Sequence, residues 1–368
     1  MSPKQSAQPQ QPAQPQETPV LSIRGLEKTF SIGGTFSRGR VRALGGVDLD
    51  IAHGEVVALV GESGSGKSTL ARCLARLEQP SAGTFLFEGR DILRTEPRRA
   101  SREYRSAVQM IFQDPFGSLN PVHRVGHFLE RPLRLHDAAA GRAAIDDAKR
   151  KLMAKVDLPA ELLDRYPHEL SGGQRQRIAI ARALAVGPRL ILADEPTSML
   201  DVSVRIGVLN LMRSLCEQQG ISMLYITHDL ASARYLADRI VVMFAGEFVE
   251  GGDAMTLLAN PAHPYTRLLI SAVPDPRRRG TFDPVERARL RQEVLHPTSC
   301  PHGGDTDAPC SAEAPVFHRV PAPVEGPGHS EHPRRSEHWV RCHLYAPPSD
   351  APGTALEPPA TPEESAAA

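Results

Sequence analysis

Eight consecutive residues, Gly61-Glu62-Ser63-Gly64-Ser65-Gly66-Lys67-Ser68, have the spacing G-x-x-x-x-G-K-S. This is the pattern of a phosphate-binding loop. Its glycines let backbone N–H groups turn onto phosphate oxygens, its lysine reaches the β and γ phosphates, and its serine hydroxyl serves Mg2+. The next chemistry-bearing group is Asp194-Glu195, two acids that end the apolar run Leu190-Ile191-Leu192-Ala193. Asp194 fits a magnesium-holding carboxylate, and Glu195 fits a base that polarises an attacking water. His228 follows a second apolar run, Ile221 to Ile226. Beside a phosphate site it is a candidate γ-phosphate sensor rather than a structural histidine. In Leu170-Ser171-Gly172-Gly173-Gln174, Ser171 and Gln174 form a capping box, and the glycine pair strips side chains from a place where an anion could approach.

These groups need rigid supports. Val56-Val57-Ala58-Leu59-Val60 is apolar and short, the pattern of a buried strand, and Thr69 to Leu77 has helical spacing. Strand, glycine loop and helix therefore agree around the phosphate motif. Ahead of it, Val20-Leu21-Ser22-Ile23-Arg24 and Leu26 to Phe30 read as strand, Gly33 to Arg40 as a hairpin loop, and Val41 to Ile51 as a further strand pair. Phe30 has two readings, a strand residue in the core and a platform for an adenine ring, and composition alone favours the first. Thr84 to Glu88 is another strand, Arg98 to Ser106 is helical, and Val108 to Phe112 is a buried strand ending at Gln113.

From Asn120 the texture changes to amphipathic helices: Val125 to Leu135, Ala143 to Val156, and one starting at Ala160. They form a helical insertion in an α/β domain, closed by a helix from Arg175 to Val186. Asp201 or Ser203 can cap the helix that runs to about Gln219. Ile240 to Phe244 and Glu247 to Glu250 make a final strand pair. Helices from Asp253 and Tyr265 close the folded part near Val273.

The chain has 368 residues, a formal net charge of zero, 5% aromatics and 33 prolines. It is long enough for a real core, and its charge balance gives no pointer to nucleic acid. No apolar run approaches the roughly 20 residues of a membrane helix. The Gln/Pro-rich start lacks the apolar core of a signal peptide. A cytoplasmic protein is expected, with any membrane role exercised through partners. Residues 1–19 and 346–368 are expected to be disordered. Five cysteines, an odd number, do not suggest a disulfide framework. Half of the 14 histidines lie from His296 onward, together with Cys300, Cys310 and Cys342.

Taken together, these motifs resemble an ABC-type ATPase. Gly61 to Ser68 matches its phosphate loop, Gln113 its glutamine loop, Leu170 to Gln174 its signature, Asp194 and Glu195 its Walker B acids, and His228 its switch histidine. Ser198-Met199-Leu200-Asp201 stands where the family usually has Ser-Ala-Leu-Asp. The resemblance covers residues 20–273. It implies an α/β fold with an antiparallel β subdomain, a RecA-like core and an inserted helical subdomain at about 118–188. It also implies that Phe30 stacks on adenine. Gly61, Ser63, Gly64, Gly66, Lys67, Ser68 and Thr69 would contact ATP from one side. Ser171, Gly172, Gly173, Gln174 and Asp201 would contact it from a second subunit. Ser68, Gln113 and Asp194 would hold Mg2+, and Glu195, His228 and Gln113 would serve hydrolysis.

Within that family the chain is similar to the ATP-binding subunits of dipeptide/oligopeptide importers. The features that carry this are the extended loop at Ile32 to Arg42, Gln113-Asp114-Pro115-Phe116-Gly117-Ser118-Leu119-Asn120-Pro121, His263-Pro264-Tyr265-Thr266-Arg267, and the Cys-bearing extension at 274–345 ending Cys342-His343-Leu344. The resemblance implies a peripheral protein on the cytoplasmic face of the cell membrane. Its partners would be a paralogous ATP-binding subunit or a second copy, two transmembrane permease subunits and an extracytoplasmic solute-binding protein. Members of the group often hold a four-iron four-sulfur cluster on four cysteines. Here Cys300, Cys310 and Cys342 match three ligands, and no cysteine stands near Val294. A tail without a cluster, and a site completed by His296 or His302, are both open. The competing functions are import of another solute, such as nickel or an opine, and ABC-type ATP hydrolysis without transport. The second fits poorly with one ATPase unit and no long heptad run.

Overall fold

The computed structural model describes residues 18–32, 39–136, 138, 139, 141–272, 317–319 and 338–341. The first elements are β1 (Leu21–Ile32), β2 (Gly39–Ile51), β3 (Val56–Val60), α1 (Lys67–Leu74), β4 (Ala82–Phe87) and β5 (Arg90–Asp91). Strands β1, β2, β4 and β5 form an antiparallel sheet in the order β2-β1-β4-β5. The expected strand pair at Val41 to Ile51 is one strand. Gly45 and Gly46 are absorbed as a bulge against β1, where the register shifts between Leu26 and Glu27.

Short helices α2 (Ile92–Thr95) and α3 (Arg102–Ala107) lead to β6 (Val108–Ile111), and α4 (Pro115–Ser118) follows. Then come α5 (Val125–Leu135), α6 (Arg142–Lys155) and α7 (Gly172–Leu184). The expected helix from Ala160 is only a 3-10 turn, Ala160–Asp164. Helix α7 begins three residues earlier than expected because the capping box sets its start. Gln174 N–H donates to Ser171 Oγ at 3.3 Å, and Ser171 N–H donates to Gln174 Oε1 at 2.9 Å.

The second half alternates strand and helix: β7 (Leu190–Asp194), α8 (Val202–Gln219), β8 (Ser222–Thr227), α9 (Leu230–Leu236), β9 (Arg239–Phe244), β10 (Glu247–Asp253), α10 (Ala254–Ala259) and α11 (Pro264–Ser271). Asp201 stands at the N-cap of α8, but its side chain makes no cap bond. Two strands beyond Val273, β11 (Phe317–Arg319) and β12 (Trp339–Arg341), rejoin the fold. The large sheet has the order β11-β12-β10-β9-β3-β8-β7-β6. The sheet thus continues past the expected close near Val273. The antiparallel steps are β10 on β9, β12 on β10 and β11 on β12; the steps from β9 to β6 are parallel.

The central strands β3, β7 and β8 are buried along their whole length, as parallel strands covered on both faces must be. Alternate residues face opposite layers. Val56, Ala58, Val60, Ile191, Ala193, Met223 and Tyr225 pack with the helices from α5 to α11. Val57, Leu59, Leu190, Leu192, Leu224 and Ile226 pack with α1 and the antiparallel sheet. Each of the valines, leucines and isoleucines among them contributes about 1.5–3 kcal/mol by burial. The parallel strands point their C-terminal ends the same way, and the loops leaving β3, β6, β7 and β8 gather there.

Candidate functional site

The loop after β3 is held from three sides. Ser65 C=O accepts from Gly246 N–H at 2.9 Å, in the turn between β9 and β10. Glu62 N–H donates to the Tyr265 phenol oxygen at 2.8 Å. Gly66 has φ 109°, and a Cβ there would lie 2.4 Å from the Ala43 carbonyl oxygen of β2. Only glycine combines that left-handed backbone with so close a neighbour. Glu62, Ser63 and Gly64 are exposed, while Lys67 beneath them is 4% exposed.

Lys67 Nζ donates to the carbonyl oxygens of Gly61 and Glu62, each at 2.7 Å. The ammonium is therefore aimed into the loop. Burial lowers its pKa, and the charges of Glu195, Asp194 and Glu62 act against that. Ser68 Oγ donates to Asp194 Oδ1 at 2.9 Å, joining the start of α1 to the end of β7. Burial raises the Asp194 pKa, with the Ser68 bond opposing it and Glu195 adding to the rise. A hydroxyl beside a carboxylate is a hard-oxygen pair that fits Mg2+, and a buried cation under exposed amides fits a phosphate chain. The residues present thus fit a magnesium nucleotide.

Glu195 follows β7 with φ 45°, a strained value for a side-chain-bearing residue. Its N–H donates to Ile226 C=O at 2.9 Å, and its own C=O accepts from Ser198 Oγ at 3.0 Å. These bonds hold the unusual backbone. The carboxylate lies between two residues from neighbouring strand ends. Gln113 Nε2 donates to Oε2 at 3.0 Å, and His228 Nδ1 is 3.2 Å from Oε1. Glu195 has a side chain 14% exposed, whereas His228 is 58% exposed. Gln113, Glu195 and His228 thus meet at one point. Asp194 is the residue before Glu195 at the end of β7, and Ser68 of α1 is bonded to it.

The remaining site residues form a second group. Ser171 and Gln174 pair with each other at the start of α7, and Gly173 packs so tightly that a Cβ would lie 2.3 Å from Val204 Cγ1. Asp201 is exposed nearby at the start of α8. None of the hydrogen bonds that join the first group reaches these residues. Phe30 is half-buried at the far end of β1, with Lys28 Nζ 4.7 Å from its ring centre. Cys300, Cys310 and Cys342, with His296 and His302, lie outside the described residues.

Sequence reasoning missed the support that α11 gives the loop. Tyr265 was legible as part of a motif, but nothing local to it says that its phenol meets Glu62. The helix is capped by His263, whose Nδ1 accepts from Tyr265 N–H at 3.1 Å. Burial pushes the His263 pKa from 6.5 down to about 4. The unfolded chain therefore binds the extra proton between those values, so this cap stabilises the fold above pH 6.5 and its contribution is lost as pH falls toward 4. His263→Asn keeps a capping side chain that does not titrate. Melting temperature should fall less steeply for the variant than for the parent between about pH 7 and about pH 4.5. Equal slopes would contradict this role.

Residues 44–198 match the ABC transporter family, and residues 249–303 match the oligopeptide/dipeptide transporter C-terminal region. The oligopeptide transport ATP-binding protein AppF of Bacillus subtilis (strain 168) is 40% identical over 335 residues, covering 90% of this chain and 98% of that protein. The dipeptide transport ATP-binding protein DppF of Escherichia coli (strain K12) is 43% identical over 296 residues, covering 80% and 87%. Among solved structures, a dimeric ATP-binding cassette in a post-hydrolysis state bound to ADP and Pi has 29% identity and a TM-score of 0.56. It covers 64% of this chain and 98% of its own. The cbiO1 protein from Clostridium perfringens, part of an ABC transporter complex, has 26% identity and a TM-score of 0.57, covering 66% and 92%. No helix among the described residues is long and apolar enough to cross a membrane. A chain this similar over most of such proteins' length belongs to their family, the ATP-binding proteins of ABC-type oligopeptide and dipeptide transporters.

Proposed function

We propose that the chain is the ATP-binding and ATP-hydrolysing subunit of an importer for dipeptides or oligopeptides. The observation that carries the ATPase reading is Glu195, held by Gln113 and His228 beside Lys67, Ser68 and Asp194. The cargo is supported by the match of residues 249–303 and by the names of AppF and DppF.

Lys67 and the loop amides from Ser63 to Thr69 bind the β and γ phosphates of ATP. Phe30 offers a face to the adenine. Ser68 and Asp194, with Gln113, would hold Mg2+, which when bound neutralises phosphate charge and orients the chain of phosphates. Glu195 accepts a hydrogen bond from the attacking water and orients it toward the γ-phosphate. Gln113 and His228 fix the two oxygens of that carboxylate, so its aim is set before the substrate arrives. His228 also reads the γ-phosphate, and Gln113 carries the state of the site toward the membrane subunits.

That the bonds joining Lys67, Ser68, Asp194, Glu195, Gln113 and His228 do not reach Ser171–Gln174 or Asp201 supports a site completed by a second subunit. One chain offers Lys67 while its partner offers Ser171 to Gln174, whose exposed helix start suits an anion. ATP binding would then favour the closed pair, and hydrolysis would release it. The partner in this reading is a paralogous ATP-binding subunit, with two permease subunits in the membrane and a solute-binding protein outside. The chain itself sits peripherally at the cytoplasmic face.

The purified chain alone should hydrolyse ATP slowly, and co-purified permease subunits with a paralogous ATP-binding subunit should raise turnover at least about tenfold, as completing an incomplete site requires. Fast, peptide-stimulated hydrolysis by the chain alone would contradict the reading.

A further inference from the structure

One fully buried carboxylate among the described residues lies away from the phosphate loop, yet it is connected to it. Glu250 of β10 is 0% exposed. Its Oε1 accepts from Ala262 N–H at 2.8 Å, and its Oε2 accepts from His263 N–H at 3.1 Å. The third partner comes from the C-terminal extension: His338 Nε2 stands 2.6 Å from Oε1 and is itself 1% exposed. A buried carboxylate is tolerated only when its oxygens are bonded, and His338 adds a side-chain partner to the two backbone N–H groups that Glu250 already accepts from.

The docking of the extension is built into the sequence of β10. Trp339 pairs with Gly251, and Val340 with Glu250. A Cβ on Gly251 would lie 2.5 Å from Trp339 Cζ2, so a glycine is what lets the indole lie across the strand. Val340 is fully buried.

From Glu250 the connection runs into the ATP site. Glu250 fixes the backbone of Ala262 and His263, and His263 caps α11 by accepting from Tyr265 N–H. Tyr265 is 0% exposed, its ring lies 4.6 Å from that of Phe244, and its hydroxyl oxygen accepts from Glu62 N–H. Glu62 is the second residue of the phosphate loop. We propose that Tyr265 is a positioning residue for the phosphate loop, and that the C-terminal extension holds it in place through His338 on the buried Glu250. The extension is then a regulator of ATP affinity, acting through a rigid chain of packed and bonded groups. This rests on the reading of Gly61 to Ser68 as the ATP site.

Calorimetric titration of Mg-ATP into the full-length chain tests it, with steady-state ATPase kinetics on the assembled transporter. Tyr265→Phe keeps the packing and removes the one acceptor of the Glu62 amide. It should weaken ATP binding about five- to tenfold and raise the KM for ATP in step, leaving kcat within about twofold. His338→Ala should weaken binding in the same direction, and His338→Gln, which restores an N–H donor, should bring it back. Tyr265→Phe with His338→Ala should be no weaker than Tyr265→Phe alone, since both act through one contact. ATP affinity at the parental level in Tyr265→Phe, or multiplying effects in the double variant, would overturn the proposal. Should His338→Ala fail to fold, Tyr265→Phe and His338→Gln still decide it: a parental Tyr265→Phe, or a His338→Gln that binds ATP less tightly than the parent, overturns it. Lys67→Ala separates the two levels. If it binds ATP like the parent, the loop reading and this inference both fall. If it loses binding while Tyr265→Phe does not, this inference alone falls.

Discussion

Glu195→Gln should leave ATP affinity within about threefold of the parent while lowering kcat by roughly 10²–10⁴-fold, the range for a positioned general base. The amide retains the size of the side chain and an oxygen that can accept from Gln113 or His228. It loses the negative charge that polarises water in the transition state, which matters little to the bound ground state. ATP should then be held unhydrolysed, and the closed pair of subunits should accumulate. Size-exclusion chromatography with ATP should show that pair, and single-turnover kinetics should show the lost step. Parental turnover in the assembled transporter would remove Glu195 from the chemistry. Glu195 also sits at a strained φ of 45°. Strain of this kind persists where the surroundings hold it, here through Ile226 and Ser198.

Lys67→Ala should act on the other parameter. It removes a buried ammonium whose hydrogens satisfy the Gly61 and Glu62 carbonyls, and whose charge, in the proposed reading, would face the phosphates. Charge-assisted hydrogen bonds contribute about 1.5–3 kcal/mol each, so ATP affinity should fall by about 10- to 100-fold or more. Titration with a fluorescent ATP analogue reads this directly. Unchanged affinity would mean that Gly61 to Ser68 does not bind the phosphates. The contrast between the two variants, one losing turnover and one losing binding, is sharper than either alone.

Much of this site is legible in the sequence because its supports are strongly patterned. The strands β3, β7 and β8 are continuous apolar runs, since both faces are covered, and each ends where a chemistry-bearing residue begins. Ser171 and Gln174 announce the start of α7 through a local bond, so that helix end is readable without tertiary information. What is not legible depends on contacts between distant residues. Gly45-Gly46 looks like a turn between two strands, yet pairing with β1 carries one strand through it. Asp201 has the type of a capping residue, but its side chain makes no such bond. Strand β12 lies in a Pro/His-rich stretch with no periodic signal, and only the buried Glu250 and the bare face of Gly251 explain its place. Tyr265 reaches Glu62 across more than two hundred residues of sequence, a contact that no spacing rule reveals.

The most direct measurement is peptide uptake into sealed vesicles that contain the assembled transporter, with ATP supplied on the side that bears this subunit. A radiolabelled dipeptide or oligopeptide should accumulate only when both Mg-ATP and the solute-binding protein are present. Carrying Glu195→Gln in this subunit should abolish accumulation while ATP remains bound. Uptake that proceeds unchanged with Glu195→Gln, or a transporter that accumulates no peptide of any length while hydrolysing ATP in response to another solute, would contradict the assignment of this chain as the ATP-driven subunit of a peptide importer.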